Sequence, residues 1–286
     1  MDLERVADTT CTTGENPLWH PDHGALYWCD IPNGVLYRYD PAAADYSVVY
    51  ETDDSIGGFT IQDDGSLLLF ESSGRVERWR DGNVKSVIES IPREQDSRFN
   101  DVIAGPRGRV FAGTMPTDDC LGRLYRFDTN GSYHVVYEGL EIPNGIGFAT
   151  DQETMYLTES EAQTIHQFDY DAVSGELTNH EVFLTTPDEP SVPDGMTIDT
   201  NGDIWSARWN GYALIRYAAD GTELQRIEFP ARKVASVTFG GGDYRDMYVT
   251  TAGGEEREQE GGGAGALFRL RPGVTGLEEF RSRISV

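Results

Sequence analysis

Glu15, Asn100, Asn144 and Asp194 each open a short stretch of related sequence: ENPLWHP, NDVIAGP, NGIGFAT and DGMTIDT. Two further stretches, GGFTIQD from Gly57 and ASVTFGG from Ala235, begin the same way without a side-chain oxygen. Taken singly, a Glu-Asn-Pro or an Asn-Gly is ordinarily a solvated turn. A shared register changes that reading, because oxygens at one repeat position can be brought to a common centre. Confined together, the two carboxylates repel and one is driven to protonate, a cost that a divalent cation removes. A set of oxygens with neither Cys nor His suits hard ions, Ca²⁺, Mg²⁺ or Mn²⁺, with Zn²⁺ and Fe²⁺ left open. A few protein ligands leave coordination positions for water and substrate. The alternative is an ordered channel water held by the same ring. Arg98, two residues before Asn100, points the same way on an extended chain. A surface ion pair is the competing reading for that arginine.

The elements that must position these residues follow from the repeat. The six segments recur every 41 to 50 residues, the spacing of propeller blades. Each is followed by a turn and a second apolar run, as in HGALYWCDI, DGSLLLFES, RGRVFAGTM and ETMYLTES. A third run alternates aliphatic, polar and aromatic residues, as in GVLYRYD and GRLYRFD, the period of a strand with one buried face. YSVVY, VKSVI, YHVVY and HEVFL supply fourth strands to the first four repeats. No stretch of helical periodicity is long enough to matter. These features predict an all-β, six-bladed β-propeller forming a single domain over residues 1–286. The inner strand of each blade lines the channel, which puts the ring of Glu15, Gly57, Asn100, Asn144, Asp194 and Ala235 near the axis. Gly58, Gly145 and Gly195 follow ring positions, where a missing side chain lets crowded inner strands approach. The last blade is completed either by LEEFRSRISV or by LERVADT, and the sequence leaves the choice open. The extra residues ahead of Asp194 and the acidic, glycine-rich stretch at 253–265 read as loops, the second of them mobile.

Composition bounds the partners. The 286 residues include 23 basic and 49 acidic ones, a net charge of −26, which argues against nucleic acid. Lys85 and Lys233 are the only lysines, and the excess of acid points to a surface adapted to molar salt. No apolar stretch is long enough for a membrane span and the first residues lack the features of a secretion signal, so the expected setting is the cytoplasm, with no membrane partner. Cys11, Cys29 and Cys120 cannot all pair and fit no zinc spacing. A monomer or weak oligomer is expected.

Several stretches resemble the SMP-30/gluconolactonase family, which includes regucalcin and bacterial sugar lactonases: GENPLWHPDHGALYWCDI, RFNDVIAGPRGRVFAGTM, IPNGIGFATDQETMYLTES, FDYDAVSGEL, VPDGMTIDTNGDIWSARWNG and MYVTTA. They cover nearly the whole chain in family order. The resemblance implies one divalent metal in the channel, held by Glu15, Asn144 and Asp194. It places substrate contacts at Arg98 and Asn100, and more weakly at Asp118, because PTDDCLGR is shorter than the corresponding family loop. The implied activity is hydrolysis of an aldonolactone of the glucono-, xylono-, arabinono- or galactono- type, with the ion polarising the carbonyl. Asp194 is the expected general base, and hydroxide held by the ion is the competing nucleophile. His20, His23, His134, His166 and His180 fall outside the ring, which argues against a Ser-His-Asp arrangement. Two rivals remain on the same scaffold: a phosphotriesterase-like hydrolase and a noncatalytic calcium-binding propeller.

Overall fold

The computed structural model describes residues 2–186 and 190–285. Among them the strands form six four-stranded antiparallel sheets, five of which use strands consecutive in the chain. This is the six-bladed propeller anticipated from the repeat. The first blade runs outward through Gly14–His20, Ala25–Asp30, Val35–Asp40 and Asp45–Glu51. The other inner strands are Ile56–Ile61, Phe99–Ala104, Pro143–Phe148, Val192–Ile198 and Val234–Gly240.

Burial falls from the axis outward. Four of the inner strands and the second strand of the first blade are buried throughout or nearly so, while the outer strand Asp45–Glu51 is exposed or half-buried along its length. The core lies between neighbouring blades. Phe70 meets Phe99 edge to face with centroids 5.3 Å apart and Phe127 at 5.2 Å, joining the second blade to the third. Such aromatic pairs add about 1 kcal/mol each beyond the area they bury. The fifth blade also has a fourth strand, Glu223–Glu228, in a segment where charged residues obscure the alternation.

The chain beginning closes the ring. Glu4–Ala7 pairs antiparallel with Leu267–Leu270, with Glu4 opposite Arg269 and Arg5 opposite Phe268. The other candidate, the C-terminal segment, runs instead along the loops that follow the inner strands. The Ser282 amide donates to Ile61 O at 2.8 Å, the Arg283 amide to Gly108 O at 2.8 Å and the Thr200 amide to Thr275 O at 2.9 Å. The segment crosses that end of the channel, where Leu277, Glu279 and Phe280 help line a cavity of about 170 Å³ with Ile146, Phe148 and Met196.

The stretch 253–265, expected to be a mobile loop, is tied down and contains the short helix Arg257–Glu260. Arg232 binds the buried Glu260 carboxylate through two contacts of 2.7 and 2.6 Å, and the Cys11 amide donates to Gly265 O at 3.0 Å. Glu260 is paired with Arg232 and Lys233, which composition alone does not show. Of the extra residues ahead of Asp194, Leu177–Thr185 forms the outer strand of the fourth blade, and 187–189 lie outside the described residues. All three cysteines are free thiols. Among the described residues no helix is long and apolar enough to cross a membrane.

Candidate functional site

Each inner strand breaks register with its partner at the ring. The shifts fall between Glu15 and Leu18, Ile56 and Gly58, Phe99 and Val102, Asn144 and Ile146, Pro193 and Met196, and Val234 and Ser236. A bulge turns a side chain out of the regular alternation, and here it allows a residue at the strand start to face the axis. The glycines that follow are needed for space: a Cβ on Gly145 would sit 2.5 Å from Asp194 O, and one on Gly195 2.2 Å from Ser236 Oγ.

Glu15, Arg98, Asn100, Asn144 and Asp194 line one cavity of about 260 Å³ at the channel mouth. The three residues expected to hold a metal and two of those expected to bind substrate are thus brought together. Asp118 is not: it is exposed on the loop after Val110–Thr114 and does not line this cavity. The carboxylate that does so at the rim is Glu161, accompanied by Met115, Ser160 and Trp209.

A directed chain of hydrogen bonds crosses the site. Arg98 Nη1 donates to Asn100 Oδ1 at 2.8 Å, and Asn100 Nδ2 donates to Pro143 O at 2.9 Å and to Asn144 Oδ1 at 3.2 Å. Asn144 Nδ2 donates to Ser160 Oγ at 3.1 Å, and that hydroxyl donates to Pro193 O at 2.8 Å. Among the described residues Arg98 forms no side-chain hydrogen bond or ion pair with a carboxylate; its guanidinium donates instead to Asn100 Oδ1 and to the carbonyl of Phe99.

The carboxylates are out of their ordinary range. Burial pushes Glu15 up to about 8, with the charge of Asp101 adding to the effect and Arg98 opposing it. Burial, then the charges of Glu15 and Asp101, hold Asp194 well above the usual carboxylate value. Deeper in the channel burial raises Asp101 to about 6, and burial followed by Asp101 raises Glu279 to about 7. Asp194 Oδ1 is buried without a hydrogen-bond partner.

Among the described residues no group of three His, Cys, Asp or Glu side chains is placed to hold a metal. The set at the ring is of another kind, two carboxylates and one amide, and it fits a divalent ion on chemical grounds. An unpartnered buried carboxylate oxygen and two acids that resist ionising are what a cation would relieve.

Comparison with known proteins places this chain in a family. The model of the SMP-30/gluconolactonase/LRE-like region matches residues 13–253. The chain belongs to the SMP-30/gluconolactonase/LRE-like family. Among SMP-30 relatives, the pentonolactonase XacC of Haloferax volcanii is 50% identical over 291 residues, covering 99% of each protein. Regucalcin of Oryctolagus cuniculus is 30% identical over 294 residues, covering 97% of each. Among solved structures, a calcium-binding protein, regucalcin, of Agrobacterium tumefaciens superposes with a TM-score of 0.90 at 26% identity, covering 98% of this chain and 97% of that one.

The residues that sequence reasoning missed have a common origin. Met115 and Ser160 lie just past the second strands of their blades, and Trp209 ends one. In an antiparallel hairpin the end of the second strand sits beside the start of the first, so the positions flanking the ring were available from the hairpin register.

Proposed function

We propose that this chain is a divalent-metal-dependent hydrolase of sugar-acid lactones, opening an aldonolactone of the glucono-, xylono- or arabinono- type to the free aldonic acid. The supporting observation is the grouping of Glu15, Asn144 and Asp194, from three blades, around one cavity with an unpartnered carboxylate oxygen on Asp194. The whole-length relationship to a pentonolactonase supports the substrate class.

Glu15, Asn144 and Asp194 would hold the ion, Ca²⁺, Mg²⁺ or Mn²⁺ by the chemistry of the donors. When bound, it supplies a Lewis acid that polarises the lactone carbonyl. Asp194 orients the attacking water and takes its proton on a carboxylate oxygen. Water oxygen bonds to the carbonyl carbon, the ring C–O bond breaks, and the released ring oxygen takes back the proton held by Asp194 to become the hydroxyl of the open acid. Arg98 and Asn100 line the cavity beside this centre and hold ring hydroxyls, with Glu161 as the rim carboxylate. Burial of the two acids keeps competing water few and strengthens every charge contact within the site.

The test is a panel of freshly prepared lactones in high salt, followed by a pH indicator, with chelator added and single divalent ions restored. Acid release that stops with chelator and returns with an ion supports the reading. Ion binding with no lactone opened would favour a noncatalytic calcium-binding propeller, and leaving-group release from an organophosphate would favour a phosphotriesterase.

A further inference from the structure

The Asn144 side chain is the least determined member of the ligand set, because an amide presents either oxygen or nitrogen on a given side and only the oxygen can meet a cation. Two contacts settle its orientation: Asn100 donates to Oδ1, and at the other end stands Ser160, a buried residue outside the ring. A serine hydroxyl carries one proton, and that proton is committed to Pro193 O at 2.8 Å, a carbonyl that can only accept. Towards Asn144 the Ser160 oxygen therefore offers lone pairs alone, and the amide must turn its NH₂ group to meet them, at 3.1 Å. Oδ1 is left on the opposite side, next to Asn100 among the cavity-lining residues. A flipped amide would set oxygen against oxygen at Ser160 and nitrogen against nitrogen at Asn100.

We propose that Ser160 is a positioning residue for the metal centre: its hydroxyl fixes which end of the Asn144 amide faces the cavity. The same hydroxyl ties that ligand to the peptide carbonyl just before Asp194, so two ligands on adjacent blades are set by one atom. This inference rests on the proposed role of Asn144 as a metal ligand. It explains why a serine is buried at the end of a strand with both of its hydrogen bonds used within the site. Outer-shell groups of this type are worth about 10- to 100-fold in metal affinity.

The test uses the full chain in high salt and two readouts. In the first, Mn²⁺ alone is titrated calorimetrically into chelator-stripped wild type, Ser160→Ala, Asn144→Asp and the double variant. Ser160→Ala is expected to weaken Mn²⁺ binding about 10- to 100-fold. In the Asn144→Asp background, where a carboxylate presents oxygen on both sides, the same change should cost no more than about twofold. Equal losses in the two backgrounds, or no loss in either, would overturn the proposal. The second readout needs no metal. With ¹⁵N-asparagine labelling, the Asn144 side-chain NH₂ of wild type should exchange with water slowly, and about five- to tenfold faster in Ser160→Ala. Unchanged exchange overturns the proposal even if Mn²⁺ binds. If wild type takes up no divalent ion, the metal reading fails by itself, and the exchange measurement still decides whether Ser160 orients the amide.

Discussion

Asn100 Nδ2 lies 3.2 Å from Asn144 Oδ1, so a residue assigned to substrate donates directly to an oxygen assigned to metal. The same NH₂ group holds Pro143 O, and Arg98 fixes the other end of the amide. Asn100→Ala should therefore disturb both functions, lowering kcat/KM by about 10- to 100-fold for a lactone substrate while leaving the fold intact. Initial rates over a range of substrate and ion concentrations would check it. A variant with unchanged rates would separate Asn100 from the site.

Asp194→Asn removes the buried carboxylate whose pKa is raised by burial and then by the charges of Glu15 and Asp101. Its two consequences have opposite sign. Activity should fall by at least about 100-fold, as expected when a ligand and base is lost. The metal-free protein should melt at a higher temperature near neutral pH, because a buried acid that folding must keep protonated is gone. A drop in both activity and metal-free melting temperature would contradict the electrostatic account.

The pH dependence of the metal-free protein follows from the same shifts. Glu15, raised to about 8, and Asp194, raised well above its ordinary value, bind protons more tightly in the folded state than in the unfolded one. Their contribution to stability is complete below the unfolded carboxylate range and is lost as pH rises towards 8. Melting temperature in chelator should decline from pH 5 to pH 8 more steeply in wild type than in Asp194→Asn. A saturating divalent ion should flatten the wild-type slope, since it replaces the protons. Parallel slopes in chelator for the two proteins would dismiss the shifts as the cause.

With a net charge of −26, the folded chain repels itself wherever the screening length exceeds the spacing of its surface acids. Dialysis to about 10 mM salt lengthens screening to about 30 Å, against about 3 Å at 1 M. Circular dichroism should show loss of sheet structure at the lower concentration and its return on adding salt. An unaltered spectrum would remove the argument for a salt-adapted surface.

The inner part of the molecule was far more legible in the sequence than the outer part. Ring positions at Glu15, Asn100, Asn144 and Asp194 stand out because each sits at one phase of a repeat whose following residues are mostly buried. The outer strand Glu223–Glu228 was hidden because its exposed face is charged and its pattern thin. Closure by Glu4–Ala7 rather than by the chain end is a matter of long-range pairing, on which a local pattern is silent. Asp118 and Glu161 show the same limit at the site: both are acids on loops, and only three-dimensional placement puts Glu161 in the cavity wall. The place of Ser160 beside the ring follows from hairpin register, but its role does not, since that lies in the direction of one hydroxyl proton.

The pairing of Glu4–Ala7 with Leu267–Leu270 also orders events during synthesis. Ribosomes make the chain in sequence order, so Glu4–Ala7 has no mate until the five intervening blades and Leu267–Leu270 have been made. Until then the growing protein is an arc with two unsatisfied ends, and its opening residues must stay clear of the wrong strand edges. Their sequence, Glu-Arg-Val-Ala, places two charges at the front of a very short strand, which discourages premature docking. The latch that completes the circle is thus a strand whose partner is made only after the intervening blades.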